Sequence, residues 1–280
     1  MLKRLLKILL GTALFAYIGF CAIVYYCPQL FFYNPSNEVA SIQNAHNIGY
    51  PAQEVEYQSK DGTELYAWFT NPKNNRPIVV FMHGNSYNIE KFAHKLIPFV
   101  REGYGTMIPE YRGFGGINGA ITQQGLEQDA TAAIDWLYSQ GYKNQDIILY
   151  GMSLGSYTSI YTANRLSNEH RFKALILEVP FDSLYATVKD VVWAPLPLEI
   201  IIRDKYDNLS LIKNLKLPIF VMGAEQDKVV PLARAKKLYN AITSPKEIKI
   251  YSKAEHGNLY EYNNYQDILD WLEKNEKTRP

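Results

Sequence analysis

The chain predicts an α/β fold: a mostly parallel central sheet with helices on both faces and a small cap, preceded by one N-terminal transmembrane helix. Three features carry that expectation. Short continuous apolar runs, such as residues 77–83 (PIVVFMH) and 147–150 (IILY), suit strands buried on both faces. Between such runs lie stretches of helical period, clearest over residues 122–140, where Leu126, Ala130, Ala133, Ile134 and Leu137 share one face. The third is a strand-to-helix junction, Gly151-Met152-Ser153-Leu154-Gly155, directly behind the 147–150 run.

From the N-terminus, residues 8–27 read ILLGTALFAYIGFCAIVYYC without a charge, long enough as a helix to cross a hydrocarbon layer of about 30 Å. Lys3, Arg4 and Lys7 precede this run, and Tyr25, Tyr26, Phe31, Phe32 and Tyr33 form an aromatic belt behind it. The positive-inside bias predicts a cytosolic N-terminus, a single pass, and a catalytic body on the non-cytosolic side. A cleaved signal peptide would show a shorter apolar region and an A-x-A-like site, and no such site is found. Phe20, bulky where lipoprotein signals resemble one another in having Gly or Ala, argues against lipoprotein processing at Cys21. The chain therefore divides into a stub and anchor at 1–34 and a folded domain at 35–280.

Both cysteines, Cys21 and Cys27, fall in or beside the anchor, so the body can hold no internal disulfide and no thiolate metal site. Acylation at the membrane edge is the lesser reading of that pair. With 47% hydrophobic and 20% charged residues, the body suits one globular domain with a sizeable core. After Lys3, Arg4 and Lys7, 26 basic side chains face 28 acidic ones, a balance that gives no reason to expect nucleic acid. Asn208-Leu209-Ser210 is a formal glycosylation sequon of a kind common by chance.

Along the body, residues 54–57 and 65–69 flank Asp61-Gly62 as a hairpin, so the sheet starts antiparallel. The 77–83 strand leads through a Gly84-Asn85-Ser86 loop into a helix-like stretch at 92–99, then a strand at 104–109 and a tight loop beside the pocket, Tyr111 to Gly116. Beyond the 122–140 helix and the Ser153 unit come a strand at 174–179, a strand at 217–223, a helix at 232–242, a strand at 247–251 and a last helix at 265–276. One interval, about 181–216, breaks the alternation. Val188, Val191, Val192, Trp193, Leu196, Leu198 and Ile200 to Ile202 make it apolar, and Pro195 and Pro197 forbid a long helix. It reads either as surface helices completing the core or as a cap lining an apolar acyl pocket.

G-x-S-x-G is the pattern of an acyl-transfer serine, with Ser153 on a strained turn and glycines where side chains would collide with backbone. A serine hydroxyl needs a base, and the base needs an acid to hold its tautomer. Of His46, His83, His94, His170 and His256, only His256 lies between the last strand and the last helix, which makes it the expected base. Asp227, just past the 217–223 strand, is the expected acid, with Glu225 as its local rival and Asp182 as a distant one. Backbone N–H groups of Leu154 and Asn85 are the expected donors to the oxyanion, and His83 is expected to pin the loop that carries Asn85. There is no HExxH and no Walker-type loop, and Arg112 to Gly116 does not complete a dinucleotide-binding pattern.

Together Ser153, Asp227, His256 and the His83-Gly84-Asn85 loop resemble the α/β-hydrolase superfamily over nearly everything from Glu54 to the end. HGN at 83–85 with PEYRGFGG at 109–116, behind a single membrane helix, is similar to membrane-anchored serine hydrolases related to acyl-protein thioesterases. The resemblance implies hydrolysis of carboxylic esters or thioesters of small-molecule or lipid-borne acyl groups, without a cofactor. HGN stands where lipases have HGGG, and a true spanning helix where cytosolic depalmitoylases carry clustered cysteines. A serine peptidase of the same fold and a non-catalytic membrane-tethered adaptor are the alternatives. The cap's few carboxylates argue mildly against the first, and the complete Ser-Asp-His set against the second.

Overall fold

A computed structural model gives the fold and describes residues 1–167, 171–192 and 195–277. Trp193, expected in the cap, and His170 lie outside the described residues. The apolar N-terminal stretch forms one helix, Leu2–Tyr26, of 25 residues, long and apolar enough to cross a membrane. It begins earlier than the uncharged run, so Lys3, Arg4 and Lys7 ride on its first turns.

The body is built on one eight-stranded sheet. Its strands are β1 (Gln53–Gln58), β2 (Glu64–Thr70), β3 (Ile78–Met82), β4 (Gly105–Pro109), β5 (Ile147–Met152), β6 (Ala174–Glu178), β7 (Ile219–Ala224) and β8 (Lys246–Tyr251). The spatial order is β1-β2-β4-β3-β5-β6-β7-β8, antiparallel in the first two pairings and parallel in the rest. This is the expected α/β-hydrolase fold. The central strands are apolar on both sides because both sides are covered. Ile78, Val80 and Met82 of β3 face helices Gln123–Ser139 and Leu154–Leu166, while Val79 and Phe81 face the layer that holds Leu96, Phe99, Ile268 and Leu272.

Two elements differ from the sequence expectation. The helix-like stretch at 92–99 is broken into a short helix Ile89–Phe92, a 3₁₀ turn Ala93–Leu96 and a second short helix Ile97–Arg101. Pro98 starts the last piece, since its ring and missing N–H fit only the first turn of a helix. The stretch behind the apolar helix, to which the sequence assigned no strand, pairs with the loop after β3, Asn34 beside Ser86 and Pro35 beside Tyr87.

The 181–216 interval folds as helices Leu184–Val191, Leu198–Ile201 and Asn208–Ile212, the last packed on helices Leu154–Leu166 and Leu232–Ala241. Val188, Ile201 and Ile202 close over Val24 of the N-terminal helix, and the Tyr17 hydroxyl donates to the Pro195 carbonyl at 2.7 Å. The interval packs into a core with Val24, and its Leu184 and Thr187 line a cavity that Ser153 also borders. Asn208 is fully buried and its amide donates to the Phe181 carbonyl, so the folded chain leaves no room for a glycan at the sequon.

Candidate active site

Ser153 sits where β5 gives way to helix Leu154–Leu166, with φ +53° and ψ −117°, a backbone state that few non-glycine residues adopt. What holds it there is close packing of the chain around the turn. A Cβ on Gly155 would stand 1.8 Å from the Met82 carbonyl oxygen, and one on Gly151 would stand 2.2 Å from the Gly155 oxygen. Only glycine fits at either place. The Ser153 N–H donates to the Glu178 carbonyl on the neighbouring strand at 2.9 Å, which fixes the turn and leaves the side chain at the carboxyl edge of the sheet.

His256 and Asp227 reach the same edge from the loops after β8 and β7. The two loops are tied to each other by the Gln226 N–H, which donates to the Ala254 carbonyl at 3.0 Å. His256 Nε2 lies 2.9 Å from Ser153 Oγ, and His256 Nδ1 lies 2.7 Å from Asp227 Oδ2. The other oxygen of Asp227 accepts the N–H groups of Val229 and Val230, each at 2.8 Å. With one oxygen held by backbone, the second is left to face the imidazole. Asp227 is nearly inaccessible as a side chain, whereas the His256 side chain is 18% exposed.

The remaining candidates are placed elsewhere. Glu225 is exposed, and its N–H serves the β7–β8 ladder by donating to the Tyr251 carbonyl. Asp182 is buried but engaged with Arg234 at 3.2 Å and Lys237 at 2.8 Å. His46 contacts the Ala52 carbonyl, and His94 packs edge-on to Tyr260 while burial pushes its imidazole below the ordinary value. His83 is fully buried among Phe92, Tyr111 and Phe114, with Nδ1 2.8 Å from the Gly84 carbonyl oxygen. Its Nε2 comes within 3.0 Å of Glu110 Oε1, at an angle too poor for a hydrogen bond.

Leu154 and Asn85 both border the cavity at Ser153, and among the described residues neither backbone N–H meets an acceptor within the chain. The cavity measures about 80 Å³, and its wall is largely apolar: Phe181, Leu184 and Val230 from the body, Phe32 and Tyr33 from the segment behind the N-terminal helix. Burial pushes the Tyr33 and Tyr206 hydroxyls well above the ordinary phenol range, so both stay protonated and bond to each other at the cavity wall.

The Tyr111 to Gly116 loop does not border this cavity, contrary to expectation. It is a brace instead. Arg112 clamps Asp129 on helix Gln123–Ser139 and Asp61 on the β1–β2 turn, and Gly115 N–H donates to the Ser36 carbonyl at 2.8 Å. Two parts of the site were missed from sequence. The double backbone bond to Asp227 had a local signal, an Asp two and three residues before Val229 and Val230. Phe32 and Tyr33 had none, because an aromatic belt at a membrane edge accounts for them equally well.

The sequence pattern of the prolyl oligopeptidase family matches residues 90–278, which include Ser153, Asp227 and His256. Among curated proteins, the uncharacterized protein YfhR of Escherichia coli (strain K12) is 30% identical over 267 residues, 91% of this chain and 88% of that one. Among solved structures, the Pyrococcus furiosus esterase Pf2001 superposes with a TM-score of 0.69 at 19% identity, over 87% of this chain and 98% of its own. The Pyrococcus horikoshii acylaminoacyl peptidase superposes with a TM-score of 0.65 at 20% identity, over 79% of this chain but 41% of its own. At these identities the structures speak for the α/β-hydrolase fold alone. With more than half of its length matched, the chain belongs to the prolyl oligopeptidase family of serine hydrolases.

Proposed function

We propose that the chain is a membrane-anchored serine hydrolase that cleaves carboxylic ester or thioester bonds through an acyl-enzyme on Ser153. The observation that carries this reading is the hydrogen-bonded run from Ser153 Oγ through the His256 ring to Asp227. Ser153 Oγ attacks the acyl carbonyl as its proton passes to His256 Nε2, and Asp227 Oδ2 accepts the hydrogen bond from Nδ1–H and steadies the imidazolium. The N–H groups of Leu154 and Asn85 receive the developing oxyanion. Collapse breaks the bond to the leaving group, which takes the proton back from His256. A water then attacks the acyl-enzyme with His256 as base, and Ser153 is freed.

The apolar wall of the cavity favours an acyl chain over a charged group. Helix Leu2–Tyr26, preceded by a basic cluster, serves as a single-pass anchor with its N-terminus in the cytosol and the body on the other side. Such a tether would keep the enzyme beside lipid-borne acyl substrates. Labelling with a fluorophosphonate probe tests the reading. Wild type should label and Ser153→Ala should not, and equal labelling of the two would remove Ser153 from the chemistry.

A second reading, a peptidase on the same residues, is favoured by the family match itself and by the acylaminoacyl peptidase likeness. Rates on p-nitrophenyl esters of rising length against aminoacyl p-nitroanilides separate the two. Faster turnover of the amides would reverse the order.

A further inference from the structure

We propose that residues 32–36, the segment directly behind the apolar helix, are a positioning element of the active site rather than a linker. The proposal rests on the reading of Ser153 as the nucleophile and adds to it a role for chain outside the residues matched to the family.

Asn85 is gripped by this segment on both sides. Its side-chain amide donates to the Phe32 carbonyl at 2.7 Å, and its own carbonyl accepts the Asn34 N–H at 2.9 Å. A parallel ladder continues the grip, with Ser36 N–H donating to the Tyr87 carbonyl at 3.0 Å. Tyr87 has φ +66°, so the loop makes a turn that a tyrosine adopts only under such constraint. The far end of the segment is itself tied down, since the Ser36 carbonyl accepts from Gly115.

An oxyanion donor is worth most when its direction is fixed before the reaction; His83 Nδ1 holds the Gly84 carbonyl on one side of the Gly84–Asn85 peptide, and the 32–36 segment holds Asn85 on the other. Anchoring the Asn85 side chain and carbonyl holds its Cα, and so restrains the peptide that carries its N–H, beside the cavity that Asn85 and Ser153 both border. The same segment closes that cavity with Phe32 and Tyr33, and the Tyr33–Tyr206 hydroxyl bond locks the wall to the cap. The membrane tether and the reaction centre thus share five residues of chain. Releasing the protein by cutting before residue 32 should leave the centre whole, and cutting after residue 36 should dismantle it.

Two experiments on the full-length protein test this. In the first, Asn85→Ala, which keeps its backbone N–H but loses the bond to Phe32, is assayed on a soluble p-nitrophenyl ester. Its kcat should fall roughly 10- to 100-fold with KM within about twofold, because a misaimed donor weakens only the transition state. The acid limb of the pH profile should not move, since the His256 geometry is untouched, and Asn85→Asp, equal in shape but without the donor, should fail as Ala does. A merely structural bond would lower the melting temperature and leave kcat alone, and that result overturns the proposal.

In the second, a protease site is placed between Cys27 and Pro28 or between Ser36 and Asn37, and the body is released from proteoliposomes. The first cut should leave kcat/KM unchanged and the second should lower it about 100-fold; equal activity after both cuts overturns the proposal. If the second product unfolds, Asn85→Ala decides. A wild-type chain that never labels with fluorophosphonate sinks the serine-hydrolase reading itself, whereas a labelled Asn85→Ala with full kcat sinks only the role of the segment.

Discussion

The Ser153 N–H is bonded to the Glu178 carbonyl at 2.9 Å, and the carboxylate of that same Glu178 is bonded to a buried Lys95 at 2.8 Å. The strained turn is thus braced from behind by a sealed ion pair, to which the Tyr150 hydroxyl also donates. Burial and the neighbouring Glu178 carboxylate push that phenol far above its ordinary range, so it stays a donor. Removing one partner of such a pair leaves a charge without compensation, so Lys95→Met should destabilise the fold by about 3–5 kcal/mol in urea. Lys95→Met with Glu178→Gln should recover part of that loss. A double variant no better than the single one would show that the pair is not what braces the turn.

Gly155 and Gly257 flank the chemistry on different elements and should respond oppositely to an added methyl group. At Gly155 the new carbon would meet backbone, which cannot give way, and Gly155→Ala should lose about 3 kcal/mol or more. At Gly257, next to His256, nothing lies within 4 Å, and Gly257→Ala should stay within about 0.5 kcal/mol of wild type. Thermal melts of the two, run side by side, check the contrast.

Arg112 distinguishes its two carboxylates by their surroundings. Asp129 is sealed, and burial pushes its carboxyl up against the pull of the guanidinium, so Asp129→Ala leaves the inner side of Arg112 unpaired, with Asp61 its remaining carboxylate, and should cost about 3 kcal/mol. Asp61 is open to solvent, and Arg112 holds its carboxyl far below the usual range. A lowered folded-state value means that its contribution is complete above about pH 4 and is lost only as the pH falls further, through the lowered value. Asp61→Ala should therefore be nearly silent near neutrality, and whatever stability it removes should vanish in strong acid. Urea melts at pH 7 and at pH 2 or below decide it, the gap between wild type and variant closing only in the stronger acid.

Leu184 faces the cavity from the cap. Leu184→Trp should narrow it, lowering kcat/KM on an octanoyl ester by roughly tenfold while an acetyl ester stays within about twofold. A uniform loss across chain lengths would place the acyl group elsewhere.

His256→Ala should switch turnover off without unfolding the chain, because His256 Nε2 is the base that faces Ser153 Oγ. Rates and circular dichroism followed together check this. Retained turnover in a folded variant would exclude His256 as the base.

Most of this architecture was legible because burial on both faces writes itself into strands such as 147–150 as uninterrupted apolar residues. Ser153, Asp227 and His256 could be placed from chain order, since each had to follow a strand at the same sheet edge. What stayed hidden depends on contacts between distant segments. Asn34 beside Ser86 is a pairing across some fifty residues with no periodicity to announce it. The Arg112 loop, rich in glycine, gave no sign that it turns away from the cavity, because glycine reports freedom of the backbone and not its direction.

The central claim is that an acyl group is carried on the Ser153 oxygen. Rapid mixing with a p-nitrophenyl ester, an acid quench in the burst phase, and mass mapping of the digested chain measure this directly. The account predicts a burst of one nitrophenol per active chain and the acyl mass on the peptide bearing Ser153. Turnover with no adduct there, or with the adduct on another residue, would contradict it.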